Sequence, residues 1–160
     1  MNNDLLIKSG DNIFFRITSI LGAIDEDKII PSVWVAQNTE IQRILKKELY
    51  DKIINDFKND TLLGDYLEIY DNHISPILVF LSVGDFILKN SIMVGNGGNF
   101  KHQSSNSVVA DSKETERLSK YYKDMAAHFE RQFYIFMQDV NIPEWQTPPS
   151  NNSFNFGWVF

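Results

Sequence analysis

Apolar positions recur every three or four residues over much of the chain, and polar breaks divide them into about four helical stretches. The acidic turn Asp25-Glu26-Asp27 complements a helix dipole, and Pro31 suits a first helical turn. From there the spacing predicts one helix to about Lys58. Ile41, Ile44, Leu45, Leu49, Ile53 and Phe57 lie on one face, and Lys46, Lys47 and Asp51 on the other. Trp34, beside Val33 and Ala36, is expected in the core. A second helix covers about 62–74, with Leu63, Tyr66, Leu67, Tyr70 and Ile74 on its apolar face, and Pro76 ends or kinks it. Residues 77–89 are apolar nearly all round, the pattern of a buried central helix. The last helix is the clearest. Asp111 with Glu114 makes a capping box, and Leu118, Tyr122, Met125, Phe129, Phe133, Phe136 and Val140 repeat until Pro143 stops it.

Three segments depart from this period. Residues 4–24 read as a lead-in, either strand-like or a short helix, which docks on its own helices or on a neighbour. Residues 91–110 contain the turn signal Gly95-Asn96-Gly97-Gly98-Asn99. Its flanks, with Met93 on one side and Phe100, Val108 and Val109 on the other, predict a protruding β-hairpin with a Ser/Asn-rich tip. The third segment is the C-terminus. After the loop-forming Gln146 to Ser153, Phe154, Phe156, Trp158 and Phe160 alternate with Asn155, Gly157 and Val159. Four aromatics burying roughly 150–250 Å² each give a gross gain of about 15–25 kcal/mol. Ordering seven backbone residues costs about 7–14 kcal/mol. The terms are comparable, so the segment orders only against a good groove, on its own helices or on a partner. Its period of two also suits a strand added to a partner sheet.

The expected fold is therefore mainly α: a compact bundle with a hairpin or loop insertion over about 91–110, forming one helical domain over 1–142, and an extended aromatic arm over 143–160. Trp145 either staples the chain as it leaves the last helix or meets a neighbouring subunit. The candidate contact residues are Trp145, Phe154, Phe156, Trp158, Val159 and Phe160 on the arm, and Met93, Phe100, Val108 and Val109 on the hairpin.

Composition narrows the chemistry. The 160 residues are 43% hydrophobic and 22% charged, which fits one ordinary globular domain. Without cysteine there is no disulfide framework, thiolate nucleophile or cysteine-based zinc site. The net charge of −6 comes with no Lys/Arg cluster, so non-specific grip on nucleic acid is not expected. The N-terminus does not read as a signal peptide, and the run Ile77 to Leu81 is too short to span a bilayer. The expectation is a soluble protein of a reducing compartment, or of a particle assembled there.

No catalytic, cofactor or metal site is expected. His73, His102 and His128 have no ligand-like spacing. Gly97-Gly98 lacks the Lys-Ser/Thr of a phosphate-binding loop. The acidic clusters are accounted for by helix capping.

Several patterns together resemble a family. An acidic turn and Pro31 are followed by Ala36-Gln37 and then by Leu45-Lys46-Lys47-Glu48-Leu49-Tyr50. A Gly-containing hairpin precedes a long final helix, and Pro143-Glu144-Trp145 follows it. This order resembles the small helical head–tail connector proteins of tailed bacteriophages, the head-completion or adaptor proteins. In that family a long helix often carries an Ala-Gln pair, then a Leu-Gly-x-x-Leu-Tyr-like motif; a Pro-x-Trp sequence follows the last helix. Here Lys46-Lys47 stands where the family often has Gly. The richness in Asn, Ile and Lys resembles the variant of phages with Bacteroidetes-type hosts, the crAss-like phages.

The resemblance implies a non-enzymatic virion protein at the head–tail junction, assembled in the host cytoplasm. It implies a homo-oligomeric ring, commonly of twelve copies, beneath the portal protein. The ring accepts the next neck or tail protein, and DNA passes through its lumen without sequence-specific binding. It implies no cofactor and no membrane contact. The alternative from the residues alone is a small cytosolic helical binding module or regulator with a peptide-like aromatic tail. A small hydrolase or transferase is the third class.

Overall fold

A computed structural model of the chain describes residues 5–7, 13–18, 26–90, 93–95, 98–100 and 112–146. It is mainly helical. The elements are α1 (Ile13–Ile17), α2 (Glu26–Ala36), a π-helical segment (Gln37–Ile41), α3 (Gln42–Lys58), α4 (Gly64–Ile69), a second π-helical segment (Tyr70–Ile74), α5 (Ser75–Asn90), α6 (Ser112–Asp139) and α7 (Pro143–Gln146). Between α5 and α6, β1 (Met93–Gly95) and β2 (Gly98–Phe100) pair antiparallel, with Met93 opposite Phe100 and Gly95 opposite Gly98.

The centre of the bundle is α5. Ile77, Leu78, Val79, Phe80, Val83 and Phe86 are all buried, as an all-round apolar segment requires. It packs most extensively on α6 and next on α2. The α5–α6 approach is close because both helices present small residues. A Cβ added at Gly84 would lie 3.1 Å from the Ser119 carbonyl oxygen, and Ser119 Oγ donates a 2.7 Å hydrogen bond to the Gly84 carbonyl. Ser119 therefore faces α5, and Leu118, expected on the core face, is 41% exposed. Tyr122 and Phe133 are buried as the period demands, and Met125, Phe129, Phe136 and Val140 pack against the core from partly buried positions.

The structure corrects the expectations about proline and helix length. The helix does not end at Pro76: it runs unbroken from Gly64 to Asn90, 27 residues. A proline ring inside an α-helix removes an amide donor and collides with the carbonyl four residues earlier. Here the turn before it is wound wider, and Ser75 N–H reaches back to the Tyr70 carbonyl. That wider turn accommodates the ring. This continuous helix is long and apolar enough to cross a membrane by length and composition, although its short apolar run excluded that in the sequence. Its hydropathy is accounted for by burial, since 61% of the apolar window lies inside the bundle. Pro31 sits in the second turn of α2 rather than the first, because the helix begins at Glu26.

The single helix expected to reach Lys58 is also interrupted. Lys46 has φ 59° and ψ 173°, so α3 is two helical pieces meeting at a corner. It ends in a turn in which Thr61 N–H bonds the Asp56 carbonyl at 2.9 Å and Asp60 N–H bonds that of Phe57 at 3.3 Å. Asp60 takes the left-handed position, φ 53°, where glycine is usual.

The lead-in docks on its own bundle. Leu5, Leu6 and Phe14 are buried in the common core. Leu6 N–H donates to Gln37 Oε1 at 2.7 Å, and Tyr70 OH donates to the Leu6 carbonyl at 2.9 Å. Gln37 and Tyr70 each open one of the two π-helical segments.

Candidate protein-protein interface

Two surfaces stand out: a polar-aromatic corner around Lys46 and an apolar exposed patch on the second half of α2. The corner begins with Gln37. Its Nε2 donates to Tyr50 OH at 3.1 Å, although the two residues are 13 positions apart. A straight helix would hold positions so spaced about 20 Å apart along its axis. The bend at Lys46 brings them together. Its φ and ψ fall where essentially only glycine is at ease. The Lys46 side chain then lies over Trp145, with Nζ 4.0 Å from the ring centroid, a cation–π arrangement.

Trp145 reaches this place because α6 ends at Asp139 and Pro143 opens the short α7, which packs on α3. Its ring meets Phe133 edge-on at 5.5 Å and Tyr134 at 6.1 Å. Within the chain, these contacts fasten the segment that leaves α6. Next to it, Glu144 accepts a 2.6 Å hydrogen bond from Tyr66 OH, which pushes the phenol up to about 12, with burial adding to the shift. On the other flank, Arg43 Nη2 donates to both Glu130 oxygens at 2.9 and 3.1 Å, and its Nε donates to Glu40 at 2.9 Å. Burial, then the nearby Glu130 carboxylate, pushes the Tyr134 phenol up.

The second surface overturns an expectation. Trp34 is not core: it is 58% exposed. Burial of Ile29, Ser32, Val33 and Ala36 turns the opposite side of α2 outward, so Pro31, Trp34 and Val35 share the exposed side. Asn38 Nδ2 donates to the Trp34 carbonyl and Thr39 Oγ1 to the Val35 carbonyl, each at 2.8 Å. These two side chains are thereby folded back along the helix beside the apolar pair.

The hairpin candidates Met93 and Phe100 occupy paired backbone positions in the β1–β2 ladder. Val108, Val109, Phe154, Phe156, Trp158, Val159 and Phe160 lie outside the described residues, as does Asp111 of the expected capping box. The structure thus brings Trp145 together with Lys46, Tyr134 and Phe133, none of which the sequence marked as partners. Their signal in the sequence was weak: with Lys46-Lys47 where the family often has Gly, the residues read as continuous helix, and nothing there marked a bend at Lys46. Among the described residues, no three His, Asp or Glu side chains converge as metal ligands.

No curated protein and no solved structure matches the sequence. A family profile described as "Family of unknown function (DUF6712)" matches residues 41–155, which is more than half of the chain, so the protein belongs to that family.

Proposed function

We propose that this chain is a structural subunit of a tailed-phage head–tail junction. Its copies form a ring that attaches beneath the portal, receives the next neck or tail protein and lines the channel through which DNA passes. In this reading it has no catalytic activity, works in the virion, and presents the β1–β2 hairpin and the aromatic C-terminal arm as docking devices. Ring repetition makes even a weak arm contact effective through avidity.

One observation carries the proposal. The patterns that resemble connector proteins are far apart in the chain yet meet at one corner. Gln37 of the Ala-Gln pair bonds Tyr50 of the Leu-Tyr pair. Trp145 of the Pro-x-Trp sequence covers Lys46. Lys46 itself, at the glycine position of the connector-like motif, adopts a glycine-type backbone. A motif whose special backbone survives the loss of its glycine is a structural unit rather than a chance string of residues. The acidic balance also suits a wall past which DNA slides without sticking.

The test is native mass spectrometry of the protein alone and mixed with the portal protein encoded beside it. The expected result is a complex holding ring copies of both. A stable monomer or dimer in both samples, with no association, would overturn the adaptor reading in favour of a small binding module.

A further inference from the structure

The α2 face and the C-terminal segment have complementary properties, and the structure leaves the former without a cover among the described residues. Residues 29–39 contain no charged side chain, with the exposed Asp27 and Lys28 one turn earlier at the edge of the patch, and residues 145–160 contain none either, in a chain of net charge −6. Copies of an acidic protein repel one another, so contact between them is least opposed where both surfaces are uncharged. The exposed part of the first stretch is apolar at Pro31, Trp34 and Val35. The second ends in four aromatics.

Length and area agree. The chain continues for residues 147–160 beyond α7. Extended at about 3.3 Å per residue, those residues reach roughly 45 Å. A polar spacer of this length gives the aromatics reach enough to meet a neighbouring copy. Four buried aromatics contribute roughly 600–1000 Å², close to the roughly 800 Å² per partner of a stable interface.

We propose that Phe154–Phe160 of one copy docks on the Pro31–Trp34–Val35 face of a neighbouring copy. This rests on the self-association in the proposed function but not on the portal. The absence of cysteine makes the contact directly readable. Val35→Cys and Asn155→Cys variants are mixed at several hundred micromolar and treated with a short bismaleimide. The expected product is a heterodimer formed several-fold more than the homodimer of either variant alone. Adding Trp34→Lys to the Val35→Cys chain should cut that yield several-fold while leaving the thermal transition unchanged, since Trp34 contributes little to the core.

Two outcomes overturn the proposal: no heterodimer above the homodimer background, or a Val35→Cys/Asn155→Cys double variant that cross-links only within single chains. The second would place the segment on its own α2. Because the experiment omits the portal, its result is separable from the adaptor reading. Cross-linking without portal attachment keeps the contact and sinks the adaptor. Portal attachment without cross-linking does the reverse.

Discussion

The α5–α6 seam and the Lys46 corner hold the same bundle together by opposite means. The seam is built from apolar side chains and two small residues, Gly84 and Ser119, that let the helices approach. Its stability is distributed over many contacts, none of which needs a special backbone. The corner rests on a few directed interactions: Gln37 with Leu6 and Tyr50, Lys46 with Trp145, Tyr66 with Glu144. It also holds one lysine in a backbone region that costs about 1–3 kcal/mol. A region that retains strain and buried polar groups is under a constraint that packing alone does not explain. In the proposed reading the constraint is the shape needed to meet neighbours.

The sharpest way to break the corner is Gln37→Ala. It strands Leu6 N–H and Tyr50 OH, both belonging to buried residues, and each orphaned group costs about 1–3 kcal/mol. We expect a loss of about 3 kcal/mol, read as a shift in the urea midpoint, with the lead-in becoming sensitive to proteolysis. A loss below about 0.5 kcal/mol, the scale of an ordinary surface substitution, would mean that the clamp on Leu6 is dispensable.

The seam answers to volume rather than to hydrogen bonds. Gly84→Val places atoms against the Ser119 backbone carbonyl, which cannot swing aside as a side chain would. Overpacking of this kind costs about 1–3 kcal/mol, and we expect about 2 kcal/mol in the same measurement. An unchanged midpoint would show that the helices separate at no cost and that the small-residue contact does not set their distance.

The two regions also differ in how visible they are in the sequence. The seam was legible: residues 77–89 are apolar all round, and Tyr122 and Phe133 fall on a helical period. The corner was not. Between Leu45 and Tyr50 there is no Gly or Pro, and Lys and Glu favour helix, so local propensity argues for continuity. Tertiary contacts from Trp145 and Gln37 override it. Trp34 was misplaced for a related reason. From Ile29 to Ala36 nearly every position is apolar, so periodicity does not reveal which side faces in. Both π-helical segments shift the phase of the helices they interrupt, and their sequences, Gln37–Ile41 and Tyr70–Ile74, carry no residue that marks a wider turn.

Lys46→Gly separates strain from contact within the corner. Glycine relieves the backbone cost but removes the cation over Trp145, worth about 0.5–1 kcal/mol at an exposed site. It also loses about 0.5–1 kcal/mol through a freer unfolded chain. These terms set the balance between about −1 and +2 kcal/mol, and at their midpoints we expect a small gain in stability by urea unfolding. A loss greater than about 1 kcal/mol would mean that the lysine backbone carries too little strain to offset those two terms.

The smallest effect is confined to mild acid and belongs to the place where the two regions join. His73 lies in the second π-helical segment, beside Tyr70 of the clamp and Ile74 of the core. Its ring is flanked by Phe133 at 6.0 Å and Phe136 at 5.1 Å, both from α6, and its buried Nδ1 has no partner among the described residues. Burial lowers the imidazole below its ordinary value of about 6.5, and Glu68 on the same continuous helix offsets only part of that. The folded state therefore binds fewer protons than the unfolded state in this window. Stability is intact above about pH 6.5, declines as pH falls from there toward the folded value, and loses no more from this group below it. His73→Phe keeps an aromatic ring between Phe133 and Phe136 and removes the titration. Urea unfolding at pH 7.5 and 5.5 should show a smaller drop for the variant than for the native chain. Equal drops would place the acid sensitivity on carboxylates instead. They would leave the junction between seam and corner held by ring packing alone, with no contribution from the charge state of His73.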